Sequence, residues 1–185
     1  PAIARAHKLF SKKFKKQTRK ITAAMDRLMP DVDGIGIKQA DIIIEAVFED
    51  LKVKRELFKK LEQQAKSTAI LATNTSSIPL DEINTVLKES ARLIGIHFFN
   101  PVAQMQLVEV VTGEKTDPVV IEKATAFVGR INRLPLPVKS SPGFLVNRIL
   151  MPYLMECMAL LDEGVPAVNI DKAATDFGMM MGPVE

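Results

Sequence analysis

The sequence predicts an α/β fold, an incomplete doubly wound and mostly parallel sheet, followed by the start of an all-helical C-terminal domain. Three observations predict it. Short β-branched runs alternate with helical periods, "ADIIIEAV" then "EDLKVKRELFKKLEQQAK" then "AILATN", the order of strands joined by crossover helices. These strand runs are apolar on both faces, as in strands covered from both sides. Beyond "SSPGF" the pattern becomes helical and no further strand follows.

Each element can be justified in turn. From Pro1 to Arg27, Ile3, Ala6, Phe10 and Phe14 fall at helical spacing around "SKKFKKQTRK", so a basic amphipathic helix is expected, with a second from about Thr22. His7 shares the apolar stripe and reads as a structural residue at its edge. "MPDVDGIG" is a loop. After the strand "ADIIIEAV", Leu51, Leu57, Phe58, Leu61 and Ala65 share one helical face, with Glu49 and Asp50 at the N-terminus that favours anions. "AILATN" is the second strand, and a short helix arises within "TSSIPLDEINTVLKES". "RLIGIHFF", "QLVEVVTG" and "LPLPVK" are further strands, with "PVVIEKATAFVGRIN" helical between the last two. Ser141 is placed to cap a helix whose first turn accepts Pro142. That helix, Phe144 to Leu161, is apolar nearly all round and needs enclosure, and Pro152 should kink it. A last helix is expected from Ile170 to Phe177. The expected division is residues 1–140 and 141–185.

Composition excludes several classes. The 185 residues are 47% hydrophobic with a net charge of +3, too small a basic excess for a nucleic-acid surface. One tyrosine and no tryptophan offer no stacking platform. Asn147, Arg148, Pro152 and Glu156 interrupt the longest apolar stretch, so no membrane span is expected. The lone cysteine, Cys157, lies in an apolar run and reads as a buried thiol in a reducing compartment; the expected location is cytoplasmic in a bacterium, mitochondrial or peroxisomal in a eukaryote. The start at Pro1 and the stop at "GPVE" suggest a piece of a longer chain.

In open α/β sheets, ligands gather beyond the carboxyl ends of the strands. That rule selects Glu49, then Asn74, Thr75, Ser76 and Ser77, then His97 and Asn100. Glu109 joins them, because alternation in "MQLVEVVTG" places it among apolar neighbours with Met105, Leu107 and Val111. An unpaired buried carboxylate costs several kcal/mol, on the order of the penalty for an isolated charge. Its partner would be a lysine or arginine, solvent at a sheet edge, or His97 on the preceding strand. A carboxylate on one imidazole nitrogen makes the other a base. Asn147, an amide in an apolar helix, needs partners of its own. No metal-ligating set is expected.

"NTSS", "HFFNP", "LVEVV" and "SPGFLVNR", in this order and spacing, resemble the L-3-hydroxyacyl-CoA dehydrogenase family, and "IIIEAVFEDLKVKRELFKKLE" resembles its preceding strand and helix. The stretch "AMDRLMPD" is similar to the multifunctional fatty-acid oxidation proteins of bacteria. The resemblance implies a Rossmann-like domain, NAD as cofactor, an acyl-CoA substrate and a homo-oligomer. It implies that His97 removes the 3-hydroxyl proton, that Glu109 orients it, and that Ser76 and Asn147 bond the substrate oxygen. It places Glu49, Lys54 and Asn100 against NAD and Lys13 near the CoA phosphates. The family's glycine-rich strand, turn and helix have no counterpart in these residues. Their absence leaves strand edges open, so self-association and a catalytically silent chain are expected. The alternative is a non-catalytic remnant serving as a structural module.

Overall fold

A computed structural model describes residues 2–15 and 17–185. Contacts gather the chain into two compact units, Pro1–Gln39 and Ala40–Glu185, so the junction expected at residues 140 and 141 falls inside the second.

In the first unit, α1 (Ala2–Phe14) and α2 (Thr18–Met25) precede a 3-10 turn at Ile35–Gln39. The second helix thus begins at Thr18 rather than near Thr22, after Lys15 takes a positive φ of 39° that α1 cannot continue through. No residue of α1 is buried, and His7 on its stripe is exposed.

The second unit is built on one five-stranded sheet, β1 (Ile42–Glu45), β2 (Ile70–Thr73), β3 (Leu93–Phe98), β4 (Leu107–Thr112) and β5 (Leu134–Lys139), in that spatial order. All neighbours are parallel except β3 and β4, whose connection is too short for a crossover. The helices α3 (Leu51–Gln64), α4 (Leu80–Asn84) and α5 (Pro118–Arg130) supply the crossovers. Asp50 caps α3 by accepting from the Val53 amide at 2.8 Å, and Asp117 caps α5 ahead of Pro118.

Alternation sorts the sheet into two faces. Ile70, Ala72, Ile94, Ile96, Val108 and Val110 pack with Ala124 and Val128 of α5. The intervening residues, Glu45, Leu71, Thr73, Leu93, Gly95, His97, Glu109 and Val111, project to the other face. The buried core on one face is therefore apolar, and the other face mixes apolar residues with every ionisable side chain the strand interiors bury.

The last two helices are α6 (Val146–Asp162) and α7 (Ala167–Phe177). Ser141 and Pro142 do not open α6 as expected. Gly143 and Phe144 take positive φ of 73° and 49°, and a helix cannot begin until the chain has left that region. The helix runs on through Pro152, and only Cys157 of its residues is buried, so the enclosure expected of an apolar helix is not supplied by the described residues.

At Gly95 the sheet requires the absence of a side chain, since a Cβ there would lie 2.7 Å from Val111 Cβ on the paired strand. Val111 is itself fully buried and cannot retreat. Gly95→Ala should lower stability by about 1–3 kcal/mol through overpacking, measurable by chemical denaturation. A neutral result would show that β3 and β4 separate more easily than their packing implies.

Candidate active site

The polar face of the sheet positions the first pair. His97 and Glu109 are direct cross-strand partners in the antiparallel β3–β4 ladder, and His97 Nδ1 lies 2.8 Å from Glu109 Oε2. Both are buried, Glu109 completely. No lysine or arginine is paired with this carboxylate among the described residues. Its other oxygen, Oε1, accepts the backbone amides of Leu145 and Val146 at 3.0 and 2.9 Å. Leu145 is the N-cap of α6, so Glu109 caps that helix across the fold and meets the positive end of its dipole. Phe99 lies against the imidazole with ring centroids 4.6 Å apart, and Phe144 meets it edge-on at 5.6 Å. Phe98, by contrast, alternates to the α5 face and packs in the core there.

A second carboxylate organises the loop after β2. Glu49 Oε1 receives the Thr75 hydroxyl, the Ser76 amide at 2.9 Å, and the Ser77 amide and hydroxyl at 3.2 Å each, with the Ser76 hydroxyl at 3.4 Å. Partial burial pushes the Glu49 carboxyl up, but the Thr75 hydroxyl, the Ser76 amide and the Lys54 ammonium outweigh it and hold the group down at about 2. Lys54 is 1% exposed. Its ammonium lies 3.3 Å from Glu49 Oε2 and 2.8 and 3.0 Å from the two oxygens of Glu45, the buried last residue of β1. The side chain read as a cofactor contact therefore sits beneath Glu49.

The two groups are joined. Asn74 at the end of β2 accepts the Phe98 amide at 2.9 Å, tying β2 to β3 just beyond His97. Asn147, the second residue of α6, directs its Nδ2 to the Ser76 carbonyl at 3.4 Å, tying the Glu109-capped helix to the Glu49-bound loop. His97, Glu109, Ser76, Asn147, Glu49 and Lys54 thus meet at the carboxyl ends of β1, β2 and β3. Asn100 is exposed in the turn that follows, with a cis peptide to Pro101. Lys13 belongs to the other unit, on the exposed side of α1, with its ammonium 5.9 Å from the Phe14 ring centre.

Glu45 and Phe144 escaped sequence reasoning. Glu45 was detectable, as the one charge in the run "IIIEAV" facing a lysine that falls on the buried stripe of the next helix, Lys54, Phe58 and Leu61. Phe144 carried no such signal, because its place against His97 depends on an unusual backbone turn.

Glu49 yields a pH prediction. Its folded-state value of about 2 lies below the ordinary 4.5, so the stability it contributes is complete above 4.5 and lost as pH falls toward 2. Chemical denaturation of the wild type and Glu49→Gln should show a stability gap that narrows across that window. A gap independent of pH would show that the ionised carboxylate is not what holds the loop.

The 3-hydroxyacyl-CoA dehydrogenase NAD binding domain model matches residues 2–141, and the C-terminal domain model of the same family matches residues 143–185. The fatty acid oxidation complex subunit alpha of Shewanella sp. (strain W3-18-1) is 40% identical over 187 aligned residues, which cover 99% of this chain and 26% of that protein. The chain thus spans about a quarter of the length of such relatives. The crystal structure of 3-hydroxybutyryl-CoA dehydrogenase from Escherichia coli K12 superposes with a TM-score of 0.92 at 36% identity, covering 98% of this chain and 40% of that one. That of (S)-3-hydroxybutyryl-CoA dehydrogenase PaaH1 from Ralstonia eutropha gives 0.90 at 33%, covering 97% and 64%. On both the sequence models and the fold, this chain belongs to the 3-hydroxyacyl-CoA dehydrogenase family.

Proposed function

We propose that these residues form the catalytic half of an enzyme that oxidises L-3-hydroxyacyl-CoA to 3-ketoacyl-CoA with NAD, in the fatty-acid oxidation of a bacterial cytoplasm. The observation that carries the reading is the buried His97–Glu109 pair. Glu109 occupies Nδ1, which fixes the tautomer and leaves Nε2 as the basic nitrogen.

In this reading Nε2 takes the proton of the 3-hydroxyl. The hydrogen on carbon 3 departs with its electron pair, and the carbon–oxygen bond becomes a carbonyl. NAD, when bound, supplies the hydride acceptor. The imidazolium left behind is stabilised by Glu109, whose charge α6 already balances in part. The second Nδ2 hydrogen of Asn147 and the Ser76 hydroxyl, turned from its long 3.4 Å bond to Glu49, are the donors for the substrate oxygen. A non-catalytic scaffold has no use for this convergence.

The residues present fit one side of the coenzyme. Glu49 Oε1 is crowded with donors while Oε2 meets, among the described residues, Lys54 alone at 3.3 Å, so Oε2 retains room to accept a ribose hydroxyl. Asn100 is a further contact on that side, and for Lys13 the family resemblance alone supports a place near the CoA phosphates. The 185 residues contain no glycine-rich strand–turn–helix for the pyrophosphate. Alone they should therefore bind NAD weakly, show no measurable NAD reduction, and self-associate through the open edge of β1. Calorimetry and sedimentation check this, and tight binding by a monomer would contradict it.

In a longer chain that carries both this unit and a glycine-rich turn, His97→Gln should reduce turnover by about 10²- to 10⁴-fold with substrate affinity nearly unchanged. Glu109→Gln should cost a comparable factor for a different reason. A glutamine offers one acceptor oxygen where Glu109 uses two. If that oxygen keeps the α6 amides, the NH₂ faces Nδ1 and forces the proton onto Nε2, the wrong tautomer for a base. Steady-state kinetics decide both, and a His97→Gln enzyme with near wild-type turnover would remove His97 from the mechanism.

A further inference from the structure

We propose that Glu45 is a positioning residue for the coenzyme side of this site: it locks the Lys54 ammonium against Glu49 and so holds Glu49 in place, turned into the Thr75–Ser77 loop. The proposal rests on the reading of Glu49 as a coenzyme contact.

Glu45 is 3% exposed and every bond it makes is accounted for. Oε1 accepts the Lys54 ammonium at 2.8 Å and the Val47 amide at 2.6 Å. Oε2 accepts the same ammonium at 3.0 Å and the Thr73 hydroxyl at 2.7 Å, from the directly paired residue of β2. The carboxylate is thus immobilised by its own strand end, by its neighbour strand and by α3. Lys54 needs this anchor. A buried ammonium is tolerated only with a carboxylate and good geometry, and Glu49, much the more exposed of its two carboxylates, reaches it at only 3.3 Å. Glu45 engages the ammonium on two oxygens and leaves it pointing at Glu49 Oε2.

The charged groups facing Glu49 are few. Lys54 comes from α3, Glu45 stands behind it on β1, and the loop after β2 contributes only neutral amides and hydroxyls. Asp50, next in sequence, is turned to the Val53 amide. Neutralising Glu45 therefore acts on Glu49 through Lys54. Without its bidentate partner the ammonium is no longer held against Glu49, which then loses the one cation paired with it among the described residues.

The test uses the 185-residue chain with carbon-13 labelled carboxylates. In Glu45→Gln the titration midpoint of Glu49 should rise by about 1 unit or more, the scale expected for loss of an adjacent opposite charge. Thr73→Val, which removes one hydroxyl and keeps all charges, should fold readily and give a smaller rise in the same direction. NAD at millimolar concentration should shift the Ser76 and Ser77 amides of the wild type, and several-fold more should be needed in Glu45→Gln, where Glu49 is held less firmly. An unchanged or lowered Glu49 midpoint in both variants would overturn the proposal, since Glu45 would then be an ion-pair partner that serves stability alone. Wild-type amides untouched by NAD would instead overturn the coenzyme reading on which it rests.

Discussion

The arrangement depends on a single buried carboxylate with two obligations. Glu109 has no permanent cation beside it, and a lone charge at that depth is tolerated only because each oxygen is satisfied separately. One oxygen holds His97 and the other holds the first amides of α6. The same charge therefore orients the imidazole and fixes the start of the helix that carries Asn147. Moving Glu109 would displace both the imidazole and the helix start.

The second carboxylate solves the same problem differently. Glu49 is partly exposed, and its charge is secured by several weak neutral donors on one oxygen with Lys54 on the other. Such an environment holds a group permanently ionised, which suits binding rather than proton transfer. Glu109, by contrast, is coupled to an imidazole whose protonation can change. The sheet thus holds its two acids apart, Glu49 beyond the end of β1 and Glu109 within β4, and their partners rather than their residue type set how each charge is secured.

Much of this could be read from the residues. Strand order and the cross-strand neighbourhood of His97 and Glu109 follow from alternation and a short connection, since a partner on an adjacent antiparallel strand is a local matter. What could not be read depended on contacts between distant segments. Ser141 has the chemistry of a cap, but the positive φ at Gly143 and Phe144 carries the chain past it, and a carboxylate from β4 takes its place. Phe98 and Phe99 look equivalent in sequence, yet strict alternation sends one to the α5 face and the other to the imidazole. The resemblance gives Lys54 a coenzyme contact, and its place between the buried Glu45 and Glu49 depends on how α3 packs on the ends of β1 and β2.

The two edges of the sheet carry opposite provisions. β5 is an edge strand with Pro135 and Pro137 inside it, each lacking the amide that a further strand would require. β1 ends the other side with Ile42, Ile43 and Ile44, no proline, and only partial burial. One edge is thus built to end the sheet while the other retains the apolar, unblocked character of a strand that accepts a neighbour. The carboxyl end of that open strand is where Glu45 anchors Lys54 beneath Glu49. A strand added there would lie beside the proposed coenzyme side of the site, so the edge that most needs covering and the half of the cofactor site that most needs completing are the same place in the fold.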